Sequence, residues 1–455
     1  MAREAGLLHL GLFMFLRSFK LFGAVLISVL MSVGCGSGDP APAPTGLAVA
    51  AGDSTATVSW DMVDGVEYWL FYGPTSVAPT DTASMHSWIG LPGGNVSLKV
   101  TSPFLVTGVY NGTTVPTGLV NGTSYSFSIN GRTNGGPGGP GAAPVTATPR
   151  LAGSAWIAGP TNPPGSHDLR SLAYGVTTTT TTSTTTGTTT ASVSTYVAAG
   201  VGGAMYSSND GVTWSAINYA TSSNLNGASY FGTYKLVGDG GLVLVSSDAV
   251  TWTPQSAPTT QNLYAIASNN MNLSVAVGAG GTIITSPDGI TWSLAANSAT
   301  ASDLYAVAYS SYNSGTWVAV GAGGTLVESS DGLTWHSVTS GTTADLRGVA
   351  YGTSTNSAGV VTTMFAAVGA SGTLLSSTDG SSWVPQVLPG VTALNAVTYG
   401  TQFVAVGAGG KIFFSTDGAS WTAASSTNTN DLYAVVRGLY VYAAVGAAGT
   451  NLLAK

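Results

Sequence analysis

The chain carries very little charge. Lys and Arg together fill 12 of 455 positions and Asp and Glu 19, so charged residues make up 7%, against about 25% in a typical soluble protein. The balance is acidic, with a net charge of −7, and no basic stripe runs through residues 151–455. A nucleic-acid surface needs a basic face, so no nucleic-acid partner is expected. Cysteine occurs once, at Cys35, which rules out an internal disulfide framework and any thiolate zinc site. His167 and His336 have no partner at metal-ligand spacing, so no metal site is expected. No cofactor motif stands out either. Gly-x-Gly-Gly recurs, but it lies between two strand-like segments, opens no helix and lacks a following Lys-Ser/Thr, so it is not a phosphate loop. What fills the space is glycine, serine and threonine. A chain that is polar without being charged suits many short strands joined by tight turns.

The single cysteine has a telling position. Residues 1–34 contain Arg3, Arg17 and Lys20, then the apolar run 21–30, then Ser32-Val33-Gly34 directly before Cys35. A basic segment, a short apolar run and a small residue before a break make a secretory signal. A cysteine after that small residue resembles a bacterial lipoprotein lipobox, with Ser32 where leucine is commoner. The resemblance implies cleavage before Cys35 and its lipidation, so that the membrane is met through a lipid anchor only. Each buried CH₂ adds about 0.8 kcal/mol, and several acyl chains hold durably. Gly36 rather than Asp implies sorting to the outer membrane or cell surface. The alternatives are an uncleaved helix anchor and a start at Met14 instead of Met1. Residues 35–44 then form a Pro/Gly/Ala tether.

Residues 45–149 read as a first domain. Thr57-Val58-Ser59-Trp60 and Tyr68-Trp69-Leu70-Phe71-Tyr72 are strand-like, and Tyr125-Ser126-Phe127-Ser128-Ile129 alternates with period two. The run Gly118 to Tyr125 resembles the tyrosine corner of a fibronectin type III domain. That resemblance implies a β-sandwich used as a spacer or adhesion unit. The stretch between Gly73 and Pro116 leaves room for further strands, and no Arg-Gly-Asp is present.

From 151 to 455 the chain repeats itself. Six tryptophans close one phrase: SSNDGVTW, SSDAVTW, SPDGITW, SSDGLTW, STDGSSW and STDGASW, ending at Trp214, Trp252, Trp292, Trp335, Trp383 and Trp421. Their spacings are 38, 40, 43, 48 and 38 residues. A period near 40 with strand-like content marks a propeller of four-stranded blades. The repeat opens Asp-Leu-Tyr-Ala-Val, continues Val-Ala-Val-Gly-Ala-Gly-Gly-Thr, and ends at the tryptophan. The last copy, at Leu432, stops before its phrase, and Gly153-Ser154-Ala155-Trp156 supplies the missing strand. The expected architecture is therefore all-β: a fibronectin type III-like sandwich, then a seven-bladed β-propeller closed by an N-terminal strand, six or eight blades being the alternatives. The threonine-rich stretch 177–194 has no apolar set to bury and is expected as a flexible loop.

The phrase resembles the Asp-box, or BNR repeat, of sialidase-like propellers, except that Asp and Gly are adjacent here and Ala249 replaces glycine once. Its carboxylates, Asp210, Asp248, Asp288, Asp331, Asp379 and Asp417, are expected to hold tight turns, and its tryptophans to pack between blades. A motif present in every blade is not one active site. Sialidase chemistry needs three arginines on a carboxylate and a Tyr–Glu pair. The repeat offers only Arg170, Arg347 and Arg437 with Glu328. A glycosidase needs two facing acids, and Asp239 is a lone candidate. The short Gly-Thr-rich copies most resemble propellers of the photosystem II assembly-factor type, which implies a protein-binding scaffold.

One constellation could bind. The residues leading into the first strand of each repeat include Asp168, Asn262, Asp303, Asp345 and Asp431. Such a ring could hold a cation or a basic peptide. Two positions on, the copies differ: Arg170, Tyr264, Tyr305, Arg347, Asn395 and Tyr433. The other reading is that each Asp caps a local turn and pairs nearby, as Asp345 with Arg347. The expectation is a non-catalytic, monomeric envelope lipoprotein that binds an envelope protein or a polysaccharide. A carbohydrate-active Asp-box enzyme (a glycoside hydrolase) and a self-associating coat component are the alternatives.

Overall fold

The computed structural model describes residues 39–76, 95–107, 118–159, 167–183, 187–311, 315–355, 361–438 and 441–454. Cys35 and the segment ahead of it lie outside the described residues. The chain divides into two compact units, Met1–Leu151 and Ala152–Lys455.

In the first unit two antiparallel sheets share one core. One holds Ala48–Ala51, Ala56–Ser59 and Phe104–Val106, and the other Asn95–Val100, Val66–Pro74, Tyr125–Thr133 and Val145–Ala147. Val58, Trp60, Leu70, Phe127 and Ile129 meet between them. The Tyr125 hydroxyl accepts the Val120 N–H at 3.0 Å, pinning the turn that precedes its strand.

Among its described residues the second unit holds seven four-stranded antiparallel sheets in chain order. The fourth is typical: Leu304–Ser310, Thr316–Gly321, Leu326–Ser329 and His336–Ser337. In the seventh, Leu432–Arg437, Tyr442–Gly446 and Asn451–Ala454 are joined by Trp156–Ala158, from the start of the unit. The first strand of each sheet neighbours the first strand of the next, and the seventh neighbours the first. The described sheets therefore stand side by side in a ring.

The repeated residues explain this arrangement. Each first strand opens on a leucine, and Leu169, Leu225, Leu263, Leu304, Leu346, Leu394 and Leu432 are all completely buried. Burying each such side chain contributes about 1.5–3 kcal/mol. The second strands are apolar on both faces because a neighbouring sheet covers each one. Val275 and Val277 of the third sheet thus share a core with Val307, Trp317 and Trp335 of the fourth. Each second strand ends in glycine for a steric reason. A Cβ at Gly321 would lie 1.9 Å from the Asp303 carbonyl oxygen.

The six turns that end in the repeated tryptophan share one carboxylate arrangement. At Asp331, Oδ1 accepts the N–H groups of Leu333 and Thr334 at 2.8 Å and the Ser329 hydroxyl at 2.9 Å. Trp335 Nε1 donates to the Gly332 carbonyl at 3.1 Å. Ala249, with φ of 63°, takes the left-handed position that glycine fills elsewhere. Trp156 Nε1 makes the corresponding bond to the Gly153 carbonyl at 2.8 Å, so the strand from the start of the unit brings its own tryptophan.

The threonine-rich stretch is not the loop expected at 177–194. Leu169–Ser183 and Gly187–Gly200 stay paired out to Ser183 opposite Gly187. Leu346–Thr355 and Val361–Gly369 extend the fifth sheet in the same way. Threonine is β-branched and favours the extended backbone. Each insertion therefore lengthens a hairpin that the core has already registered.

The carboxylates of these six turns link stability to pH. Backbone N–H bonds from Thr291 and Ile290 lower the Asp288 pKa to about 2. At Asp210, Asp331, Asp379 and Asp417 partial burial pushes upward, but the turn N–H groups outweigh it and the shift is downward. Asp248 is lowered chiefly by the Thr251 N–H. An unfolded Asp titrates near 3.9. These groups therefore stabilise the fold above that pH, and the contribution is lost as pH falls through the folded values. Calorimetry should show a thermal midpoint that is level down to about pH 5 and falls steeply between about pH 4 and 2. A midpoint that held or rose on acidification to about pH 3 would contradict this assignment.

Candidate functional site

The residue before each buried leucine does two jobs. Its carbonyl accepts an N–H from the turn between the second and third strands of its own sheet, as Asp303 does from Ala322 at 2.9 Å. Its side chain reaches the same turn of the preceding sheet. Asp303 Oδ1 accepts Gly280 N–H at 2.8 Å, Asp345 accepts Gly323 at 2.8 Å and Asp431 accepts Gly409 at 2.7 Å. Asn224 and Asn262 accept Gly202 and Gly240 at 3.0 and 2.9 Å. Asp168 closes the ring by accepting Ala448 N–H at 2.9 Å. Only the sixth sheet differs. It has Ala393 at this position, and the Thr392 carbonyl takes the Ser371 N–H at 2.8 Å instead. These side chains are therefore latches between neighbouring sheets.

The next position but one is where the sheets diverge. In all seven, the ladder between first and second strands slips by one residue directly after the leucine. The slip leaves Arg170, Asn226, Tyr264, Tyr305, Arg347, Asn395 and Tyr433 unpaired, one per sheet. A bulge bends the strand and re-aims the extra residue. Beside leucines with no exposure, Arg170 and Arg347 are exposed and the other five half-buried. The seven bulge residues are thus a ring of side chains at one end of the first strands, on the same rim as the latches.

These residues contact one another. Arg170 Nη1 donates to Asn226 Oδ1 at 3.1 Å, and Asn226 Nδ2 donates to Asp239 Oδ1 at 2.8 Å and to the Leu263 carbonyl at 3.1 Å. Arg347 Nη1 donates to Asn395 Oδ1 at 2.9 Å, and Asn395 Nδ2 to the Leu432 carbonyl at 2.9 Å. The same Arg–Asn relay therefore occurs twice, each spanning three consecutive sheets. The expected pairing of Asp345 with Arg347 is not formed, because the guanidinium turns to the next sheet. Tyr264 and Tyr305 face each other with centroids 5.7 Å apart at 52°. Burial and then the charge of Asp303 raise the pKa of Tyr264. Tyr305 is raised by burial, then by Asp303 and Asp345, with Arg347 opposing. Tyr433 is raised by burial, then by Asp168 and Asp431, with Arg170 opposing.

Catalytic candidates are otherwise engaged. Both Asp239 oxygens accept amide N–H groups, from Asn224 at 2.7 Å and Asn226 at 2.8 Å. Glu328 accepts the Ser381 hydroxyl at 2.6 Å. A cleft of about 730 Å³ beside the fourth sheet is lined by Gly324, Thr325, Ser340 and Thr342 and has no titratable side chain in its wall. Among the described residues no three His, Cys, Asp or Glu side chains converge to hold a metal ion.

The closed ring of four-stranded sheets decides the fold. The second unit is a β-propeller. No family model and no curated protein matches the chain. Among solved structures, YCF48 bound to D1 peptide is 16% identical with a TM-score of 0.49, over 68% of this chain and 99% of that one. YCF48 from Cyanidioschyzon merolae is 17% identical with a TM-score of 0.47, over 66% and 98%. The WD40 propeller domain of Doa1 is 9% identical with a TM-score of 0.49, over 66% and 97%.

Two members of the bulge ring, Asn226 and Asn395, carry the relays. Asn395 stands in the variable column of the sequence, whereas Asn226 is hidden in a loosely matching copy and becomes visible only when that copy is aligned on Leu225. The latch has a direct test. Asp345→Ala removes the Gly323 acceptor and should cost about 0.5–1.5 kcal/mol in urea unfolding. Asp345→Asn should stay near wild type, because Asn224 and Asn262 hold the same bond. Equal losses for both variants would remove the latch role.

Proposed function

We propose that this chain is a non-catalytic lipoprotein of the bacterial outer membrane or cell surface. It is anchored through Cys35, raised on a fibronectin type III-like spacer, and carries a seven-bladed propeller closed by the strand Trp156–Ala158. As a monomer, the propeller binds a protein partner on the rim that displays the bulge ring. The observation that carries this reading is the ring itself. An otherwise uniform repeat places Arg, Asn or Tyr at one bulged, solvent-reaching position in every sheet. Tyrosine and arginine are the residue types that dominate protein-binding hot spots. The relays hold two of these arginines in place before a partner arrives, which lowers the ordering cost of association. A non-catalytic role is supported by the engagement of Asp239 and Glu328 in local hydrogen bonds.

Full-length protein, used as bait in envelope extract beside a variant with Arg170, Tyr264, Tyr305, Arg347 and Tyr433 all changed to alanine, tests the face. Wild type should retain a protein that the variant loses. Retention by both, or retention of polysaccharide alone, would overturn the reading. Separately, Cys35→Ser should abolish incorporation of a clickable fatty acid and move the protein from the membrane to the soluble fraction. A variant that stayed membrane-bound would refute the lipid anchor.

A further inference from the structure

The acidic residues around the ring are more numerous than the fold requires. Asn224 and Asn262 make the inter-sheet latch as well as Asp168, Asp303, Asp345 and Asp431 do. The carboxylate charge at those four positions is therefore not needed to hold the sheets together. Its effect falls on the tyrosines. Asp303 acts on both Tyr264 and Tyr305, Asp239 acts on Tyr264, and Asp345 acts on Tyr305. The arginines of the ring bond to asparagines, Arg170 to Asn226 and Arg347 to Asn395, and of the two only Arg347 acts on the pair, opposing the aspartates at Tyr305.

Tyr264 and Tyr305 occupy adjacent bulges and are both half-exposed, with ring planes opened at 52°. An aromatic face attracts a cation through its quadrupole, and a neighbouring carboxylate adds to that attraction. Asp303, two residues ahead of Tyr305, reaches the Gly280 N–H in the sheet that carries Tyr264, so its carboxylate spans the two sheets that hold the rings. Tyr433 does not repeat the arrangement, because the bulges on either side of it carry Asn395 and Arg170 rather than a second tyrosine.

We propose that Tyr264, Tyr305 and Asp303 form a notch for a lysine side chain presented by the protein partner. This rests on the partner docking at the bulge ring. The ammonium lies against the two phenol rings, Asp303 supplies the countercharge, and Asp239 and Asp345 set the surrounding negative field. The notch selects, within the wider face, a partner that carries a basic residue.

The test uses the full-length protein in detergent with two capped pentapeptides, identical except for lysine or norleucine at the centre. Binding is followed by tyrosine fluorescence and by calorimetry. Wild type should prefer the lysine peptide by about tenfold, in the range of a partly desolvated cation–π contact. Raising salt from about 50 to 500 mM should reduce that preference. Asp303→Asn keeps an acceptor for the Gly280 N–H, so its thermal midpoint should match wild type while the preference falls to about threefold or less. Tyr305→Leu should lose most of it. Equal affinity for the two peptides, or a preference that Asp303→Asn leaves intact, overturns the notch. The two readings fail separately. If the five-alanine variant loses the captured protein but Asp303→Asn and Tyr305→Leu keep it at full affinity, the docking face stands and the notch does not. If the five-alanine variant keeps the captured protein, the docking face falls as well.

Discussion

The propeller depends on one repeated hydrogen bond, the reach of each leading Asp or Asn into the turn of the sheet before it. A turn with glycine in the left-handed region points backbone N–H groups away from its own ladder. On the rim of a ring of sheets, a nearby acceptor is the side chain of the neighbour. One residue ahead of the buried leucine therefore fastens two turns, its own through the carbonyl and the neighbour's through the side chain. The interaction is local in space but can be remote in sequence. Asp168 meets Ala448 across 280 residues. At the same juncture Trp156–Ala158, from the start of the unit, pairs with Asn451–Ala454 near its end.

This division of labour explains why arginine, tyrosine and asparagine can exchange in the bulge column. The leucine must be buried, the glycine must let the leading carbonyl pass, and the latch must accept an N–H. Between these fixed positions the bulge contributes a residue that the ladder does not use. Its side chain can change from arginine to tyrosine to asparagine without disturbing the sheet. A repeat protein gains a varied surface at little structural cost when the variation sits on bulges.

Much of the architecture was legible in the chain. The 40-residue period, the leucine ahead of each apolar strand and the recurring Asp-Gly-x-Thr-Trp phrase announced an all-β propeller, because each reflects a contact within one sheet or its nearest neighbour. The rim was harder to read. That Tyr305 and Arg347 leave the ladder depends on the register between two strands, which composition does not reveal. That Asp345 bonds Gly323 of the preceding sheet, rather than its near neighbour Arg347, depends on how sheets stack. The threonine tract was misread for a different reason. Lack of apolar residues argues against a core but not against a hairpin, and a registered pair of strands can carry β-branched residues well beyond the core that started it.

Charge is the scarcest resource of this chain, and its placement is selective. The turns that end in the repeated tryptophan use a carboxylate in all six copies, where one oxygen accepts three donors and an amide could match neither the charge nor the geometry as well. The latches use a carboxylate in four sheets, an amide in two and neither in the sixth. A position that tolerates all three is not under the same structural demand. The carboxylates that remain there latch the sheets and also act on Tyr264, Tyr305 and Tyr433 of the bulge ring, with Arg347 opposing at Tyr305 and Arg170 at Tyr433. Tyr264 alone of the three has only acids among the charges acting on it. The character of the rim is therefore set by how each arginine is placed against the acids one step behind the tyrosines.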